Sequence, residues 1–121
     1  MAAVEWRRRL REEALRRAEE VASRVRGTVF LVGSFARGDF SEDSDVDLLI
    51  IGEFREPPHR RLLDVWAAGV EIIALTAAEA LNAVEKCYPI AEDVAIGVVL
   101  KDDLALAAEL VSRARKCSKT R

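Results

Sequence analysis

Two short apolar runs, Thr28 to Val32 and Val46 to Ile51, lie on either side of a Gly33-Ser34 step and a polar stretch, Asp39 to Ser44. Their β-branched and aliphatic content, bounded by turn residues, reads as two buried strands. The connection is too short for a helical crossover, so the strands are expected to run antiparallel. This strand-turn-strand unit limits the chain to folds built on a sheet with helices packed against it.

The flanking segments supply those helices. Trp6, Leu10, Ala14, Ala18, Val21 and Val25 recur at helical spacing, which predicts an amphipathic helix over residues 3–25 ended by Arg26-Gly27. Glu12 with Arg16, Glu13 with Arg17 and Glu20 with Arg24 stand in the favourable i, i+4 order. Each such pair contributes roughly 0.2 to roughly 0.5 kcal/mol. The arginines of this helix therefore read as a solvated face with local partners, Arg7, Arg8 and Arg9 being less completely paired. Pro57-Pro58 predicts a second helix with Leu62, Leu63, Val65 and Trp66 as its core face, up to Gly69. Val70 to Leu75 reads as a third strand.

Thr76 and Glu79 form a Thr-x-x-Glu capping box, so a helix is expected from Ala77 to about Lys86, interrupted by Tyr88-Pro89. A further turn over 90–95, a short strand over Gly97 to Leu100 and a last helix over 102–115, capped by Asp102 or Asp103, complete the chain. The order αββαβαβα implies an α/β (α+β) fold with about four strands in one mixed sheet. At 121 residues the expectation is one domain.

Composition excludes several classes of function. Half the residues are hydrophobic and a third charged, which argues against disorder. The longest apolar run falls far short of the ~20 residues of a membrane span, and Met1 to Leu10 lacks the apolar core of a secretory signal, so a cytoplasmic location is expected. The net charge of −2 offers nucleic acid no long-range attraction. Cys87 and Cys117 have no CxxC or histidine companion and read as two free thiols. Trp6 and Trp66 on helix faces leave room for an apolar interface or an oligomer.

Chemistry concentrates in the second apolar run. Alternate strand residues share a face, so Asp45 and Asp47 are expected to project together, about 7 Å apart, while Val46 and Leu48 enter the core. Such carboxylates repel unless a cation or solvent lies between them, and paired oxygen donors suit a hard ion such as Mg²⁺. Glu71, second in an apolar strand, is the candidate third acid, because a buried glutamate without a partner is costly; the competing reading is an edge-strand residue facing water. Gly33 permits a sharp turn and close approach to an anion, and Ser34 adds a hydroxyl and an N–H at the start of a short helical turn over 34–38. Arg37 is placed either to meet the same phosphates or to pair with Asp39, Glu42 or Asp43.

Alternative meanings of these acids fail. Asp43, Asp45 and Asp47 have the first ligand spacings of an EF-hand, but Leu48 stands where glycine is required and Phe54 where the bidentate glutamate should be. No GxxxxGK[ST] occurs, and the single histidine, His59, has no metal or triad companion.

Gly33-Ser34-x-Ala36-Arg37-Gly38, the spacer and Ser44-Asp45-x-Asp47-Leu48 together resemble the signature of the minimal nucleotidyltransferases of the DNA polymerase β superfamily. The resemblance spans about residues 28–100, including Val70 to Ile73 as the third acidic strand and Ile96 to Leu100 as the closing strand. It implies a palm-like fold and transfer of a nucleoside monophosphate, AMP from ATP, to a hydroxyl. Asp45 and Asp47 would bind two Mg²⁺ ions, with Mn²⁺ as the alternative. Glu71 would help bind the ion that activates the acceptor, a position more often aspartate in the minimal proteins. Gly33 and Ser34 would hold the β and γ phosphates. Members this small are often paired with HEPN-domain proteins as antitoxins, and the different-class alternative is a binding module that neutralises its partner by contact alone.

Overall fold

The computed structural model describes residues 2–65 and 67–119. In chain order these form α1 (Ala2–Ser23), β1 (Thr28–Val32), α2 (Ser34–Arg37), β2 (Val46–Gly52), β3 (Val70–Thr76), α3 (Ala77–Glu85), α4 (Ile90–Ile96), β4 (Val98–Asp102) and α5 (Ala107–Lys119). The four strands make one mixed sheet in the order β3-β2-β1-β4, in which β1 is antiparallel to both β2 and β4, and β2 is parallel to β3.

Strand alternation divides the core in two. Val29, Leu31, Val46, Leu48 and Ile50 face α1 and pack with its Ala14, Ala18 and Val21. Phe30, Val32, Leu49 and Ile51 face the other way, against Ala80, Val84, Ala91, Val94 and Leu110 of α3, α4 and α5. Both central strands are therefore apolar on each side, which explains why their sequences read as continuous apolar runs.

The Arg7-Arg8-Arg9 cluster is occupied within the fold. Arg7 donates to the carbonyls of Gly38 at 2.7 Å and Phe40 at 3.1 Å, and its guanidinium stacks 4.3 Å from the Phe40 ring, which itself stacks on Phe35. This ties α1 to the loop behind Gly33-Ser34. Arg8 and Arg9 pair with Glu5, and Glu12 lies against Arg8, not against Arg16 as its spacing suggests. The expected pairs Glu13–Arg17 and Glu20–Arg24 form.

The predicted helix after Pro57-Pro58 does not exist. Two single 3-10 turns, Pro58–Arg60 and Leu63–Val65, take its place. Between them Leu62 has φ 58°. That left-handed conformation stops a helix. Leu63 is exposed rather than core; Trp66 lies outside the described residues. The physical reason is Arg61, whose nearly buried guanidinium donates to the Glu56 carbonyl (3.0 Å), the Ala74 carbonyl (3.0 Å) and the Glu79 carboxylate (2.6 Å). Those tertiary bonds outweigh local helix preference and lead the chain from β2 back to a parallel β3. The same Glu79 closes the expected capping box with Thr76.

Two boundaries also move. α1 stops at Ser23, and α5 starts at Ala107 instead of 102, because Asp102 ends β4 and its carboxylate accepts from Thr28 Oγ1 (2.7 Å) and the Leu106 (3.0 Å) and Ala107 (3.2 Å) N–H groups. Asp103 instead accepts from Gly27 N–H.

Cys87 and Cys117 are not free thiols but a disulfide. Just beyond α3, Cys87 has a left-handed backbone at φ 56°. The last helix, α5, brings Cys117 to a Cα–Cα distance of 5.5 Å from it. That separation is within bonding range. The two cysteines are 30 positions apart. A loop of that length should stabilise the fold by about 3 to about 4 kcal/mol through restriction of the unfolded chain. Reduction with a dithiol, followed by calorimetry, is expected to lower the melting temperature, and Cys87→Ser/Cys117→Ser to match the reduced wild type.

Candidate active site

The Gly-Ser turn and the acids meet at one end of the sheet because of register. Val32, the last residue of β1, lies opposite Asp47 on β2, and Asp47 lies beside Glu71 on β3. Gly33 follows directly, at φ 73°. A side chain on it would overlap the Asp47 carboxylate. Glycine is thus demanded twice, by backbone conformation and by contact with the acid.

After Gly33 the chain makes the single turn α2. The Gly33 carbonyl accepts from Ala36 N–H (3.1 Å) and Arg37 N–H (3.0 Å), and the Ser34 carbonyl accepts from Gly38 N–H (2.8 Å). Gly38 closes the turn at φ 96°. Ser34 stands half-buried at its start and Arg37 projects from its end. Arg37 pairs with Asp39 at 3.3 Å, one of the partners expected for it.

Asp47 is half-buried, Asp45 is exposed just before β2, and Glu71 is exposed on β3, an edge of the sheet. The burial argument for Glu71 therefore does not hold, since water reaches its side chain; register, not burial, carries it to Asp47. Burial raises the Asp47 carboxyl from 3.8 to about 6, with a hydrogen bond to Glu71 and the charges of Glu71, Asp45 and Asp93 adding to the effect. Among the described residues no group of three or more His, Cys, Asp or Glu is gathered closely enough to hold an ion as placed. The chemistry of the donor set nevertheless fits a hard divalent cation, whose charge would relieve the repulsion that raises Asp47.

Asp93 is the residue that sequence reading missed. It lies on α4, half-buried, where Ala91 and Val94 fix the buried face of the helix. Its own carboxyl is raised, by burial first, while the Arg37 charge draws it down and Glu92 pushes it up. An acid placed at the rim of the apolar face of a short helix was the available signal. His59 is exposed in the first 3-10 turn.

A family model described as the nucleotidyltransferase domain matches residues 8–117. The chain belongs to that family. That family in general implies a nucleoside triphosphate substrate and a divalent metal. A protein of Methanocaldococcus jannaschii, named provisionally as a protein adenylyltransferase, is 50% identical over 34 residues, a match covering 26% of this chain and 34% of that protein. This chain thus matches about a third of that relative's length. A crystal structure from Sulfolobus solfataricus, named provisionally as a nucleotidyltransferase, is similar at TM-score 0.53 and 26% identity over 82% of this chain and 86% of the other. A toxin-antitoxin crystallised with AMP-PNP gives TM-score 0.48 and 14% identity over 78% and 75% of the two chains. The mixed sheet with its helices is the fold of the nucleotidyltransferase from Sulfolobus solfataricus.

Two outcomes follow from the crowding around Asp47. Its pKa is raised on folding, so its contribution to stability is fully present below its ordinary value and is lost as pH rises through about 6. Asp47→Asn should therefore be more stable than wild type at neutral pH, by on the order of 1 kcal/mol after solvent screening, with the difference vanishing below about pH 4 in urea melts. Gly33→Ala should destabilise by about 1 to about 3 kcal/mol, the cost of a strained backbone position combined with contact against a half-buried group; the same melts measure it.

Proposed function

We propose that the chain transfers AMP from ATP, in a Mg²⁺-dependent reaction, to a hydroxyl group on a partner protein, a HEPN-domain toxin that it neutralises. One observation carries the reading: Gly33, the residue of the Gly-Ser turn that has no side chain, lies directly against Asp47, so a triphosphate on the turn would lie beside the carboxylates.

Each residue has a separable task. Gly33 lets the turn pass directly against Asp47, and it and Ser34, with the serine hydroxyl and backbone N–H, would hold the β and γ phosphates. Arg37 supplies positive charge from the end of α2. Asp45, just before β2, Asp47 on β2 and Glu71 on β3 would hold the metal, with Glu71 on the open edge of the sheet. The ions, when bound, neutralise phosphate charge and make the acceptor hydroxyl more acidic. In-line displacement at the α phosphorus would form the bond to the acceptor oxygen, whose proton passes to solvent, as the bond to pyrophosphate breaks, with no covalent participation by the protein. The chain's contribution is position and electrostatics.

Residues 1–121 act as one catalytic domain on this reading, supported by two apolar cores that share one sheet. None of the described helices is long and apolar enough to cross a membrane. The second reading, neutralisation of the partner by contact alone, is favoured by the exposure of Glu71 at an edge strand.

Incubation with labelled ATP, Mg²⁺ and a HEPN-domain partner should transfer label to the partner, and Asp45→Asn/Asp47→Asn should reduce transfer by at least about a hundredfold. Transfer that persists in the double variant would sink the enzymatic assignment of these acids. Full neutralisation of the partner by that variant, without ATP binding in calorimetry, would select the contact reading.

A further inference from the structure

The Cys87–Cys117 disulfide is not sealed inside the core. Where the end of α3 meets the last turns of α5, both cysteines line a surface recess of about 450 Å³, together with Val84, Glu85, Arg113 and Lys116. Small-molecule sites typically have volumes of roughly 300 to roughly 1,000 Å³, so the recess is large enough to seat one. The acids of the candidate active site do not line it.

The two sulfurs differ. Cys87 is half-buried in the turn that leaves α3, whereas Cys117 is only 6% exposed. Cys117 Sγ also lies 3.1 Å from the Val84 carbonyl oxygen, close enough for a reduced thiol to donate to it, while Cys87 Sγ stands 3.9 Å from the same oxygen. Access therefore directs an incoming nucleophile to Cys87, and Val84 is placed to accept from the Cys117 thiol that leaves. Charge selects the nucleophile. Each cysteine follows a lysine, Lys86 or Lys116, and the exposed Arg113 and Lys116 line the recess one helical turn apart, against the single carboxylate of Glu85; Arg113 also holds Glu109 at 2.9 Å, outside the recess. Cations beside a sulfur attract an anionic thiol and offset the charge that exchange places on sulfur.

We propose that this recess is an exchange site for an anionic low-molecular-weight thiol, which opens the disulfide by attack on Cys87. The exchange is independent of the nucleotidyl-transfer reading. The incoming thiolate bonds to Cys87 Sγ as the Cys87–Cys117 bond breaks, and the electron pair goes to Cys117, which takes a proton from solvent and donates it to the Val84 carbonyl. A second thiolate then attacks the added sulfur, which leaves Cys87 as a thiolate that takes a proton from solvent and joins the two small thiols as a disulfide. The protein disulfide is reduced and the small thiols are oxidised.

Thiols of different charge separate a docking recess from simple exposure. The full chain is treated below its melting temperature with anionic glutathione, neutral 2-mercaptoethanol or cationic cysteamine, quenched with iodoacetamide, and followed by mass spectrometry of its peptides. The first glutathione adduct is expected on Cys87. In Arg113→Gln/Lys116→Gln the rate with glutathione, divided by the rate with 2-mercaptoethanol, should fall about three- to tenfold, and the corresponding ratio for cysteamine should rise. A variant that merely loosens the fold speeds all three thiols together and leaves both ratios unchanged, so unchanged ratios would overturn the docking role. A first adduct on Cys117, or a disulfide that glutathione does not open, would overturn the exchange itself.

Discussion

The pairing of β2 with a neighbour on each side, antiparallel to β1 and parallel to β3, is the constraint on which the rest depends. The antiparallel side puts the end of β1 opposite Asp47, so the turn that leaves β1 must pass over a carboxylate. The parallel side puts Glu71 next to the same residue. A slip of one position along β2 would send Asp47 to the α1 face, against Leu31, Ala18 and Val21, and turn Val46 and Leu48 out of that core. The apolar alternation that builds the two cores is therefore what locks the acids at the rim; core packing and site geometry are one specification.

Much of this is legible in the sequence because it depends on local pattern. The two apolar runs, the Gly-Ser break, the Thr76–Glu79 capping box and the mixed sheet follow from periodicity and turn chemistry, which act over a few residues. What escapes depends on contacts between distant residues. Leu62 turns left-handed because Arg61 reaches Ala74 and Glu79, and nothing near Pro57-Pro58 reports that. The disulfide needs α3 and α5 to meet, and isolated cysteines 30 positions apart carry no spacing signal.

The acids illustrate both sides. Strand alternation places Asp47, but the expected strand position of Asp45 is lost because β2 begins only at Val46. Glu71 stands out in the sequence through a burial cost that its exposed edge position removes; its proximity to Asp47 comes instead from parallel register, a property of the crossover and not of its own strand. Asp93 belongs to no motif; its charge acts on Asp47 where α4 lies against β1. The arginines behave alike: Arg7 reads as a loose positive charge, yet it clamps the loop behind the Gly-Ser turn through Phe40 and two carbonyls.

The site is assembled from groups that oppose folding where they stand. Gly33 holds a left-handed backbone against a carboxylate, and Asp47 is half-buried among the fields of three other acids, so its ionisation is delayed to about 6. Sequences selected only for stability would remove such features, since most structural carboxylates are exposed or paired with a cation. Here the buried Arg61 serves a loop, Arg7 serves a turn, and Lys101 lies against the end of α1 and Asp103, while Arg37 stands at the margin of the acids at the sheet end. The fold directs Arg61, Arg7 and Lys101 to other contacts, and a divalent cation would supply the positive charge that they do not bring to these carboxylates.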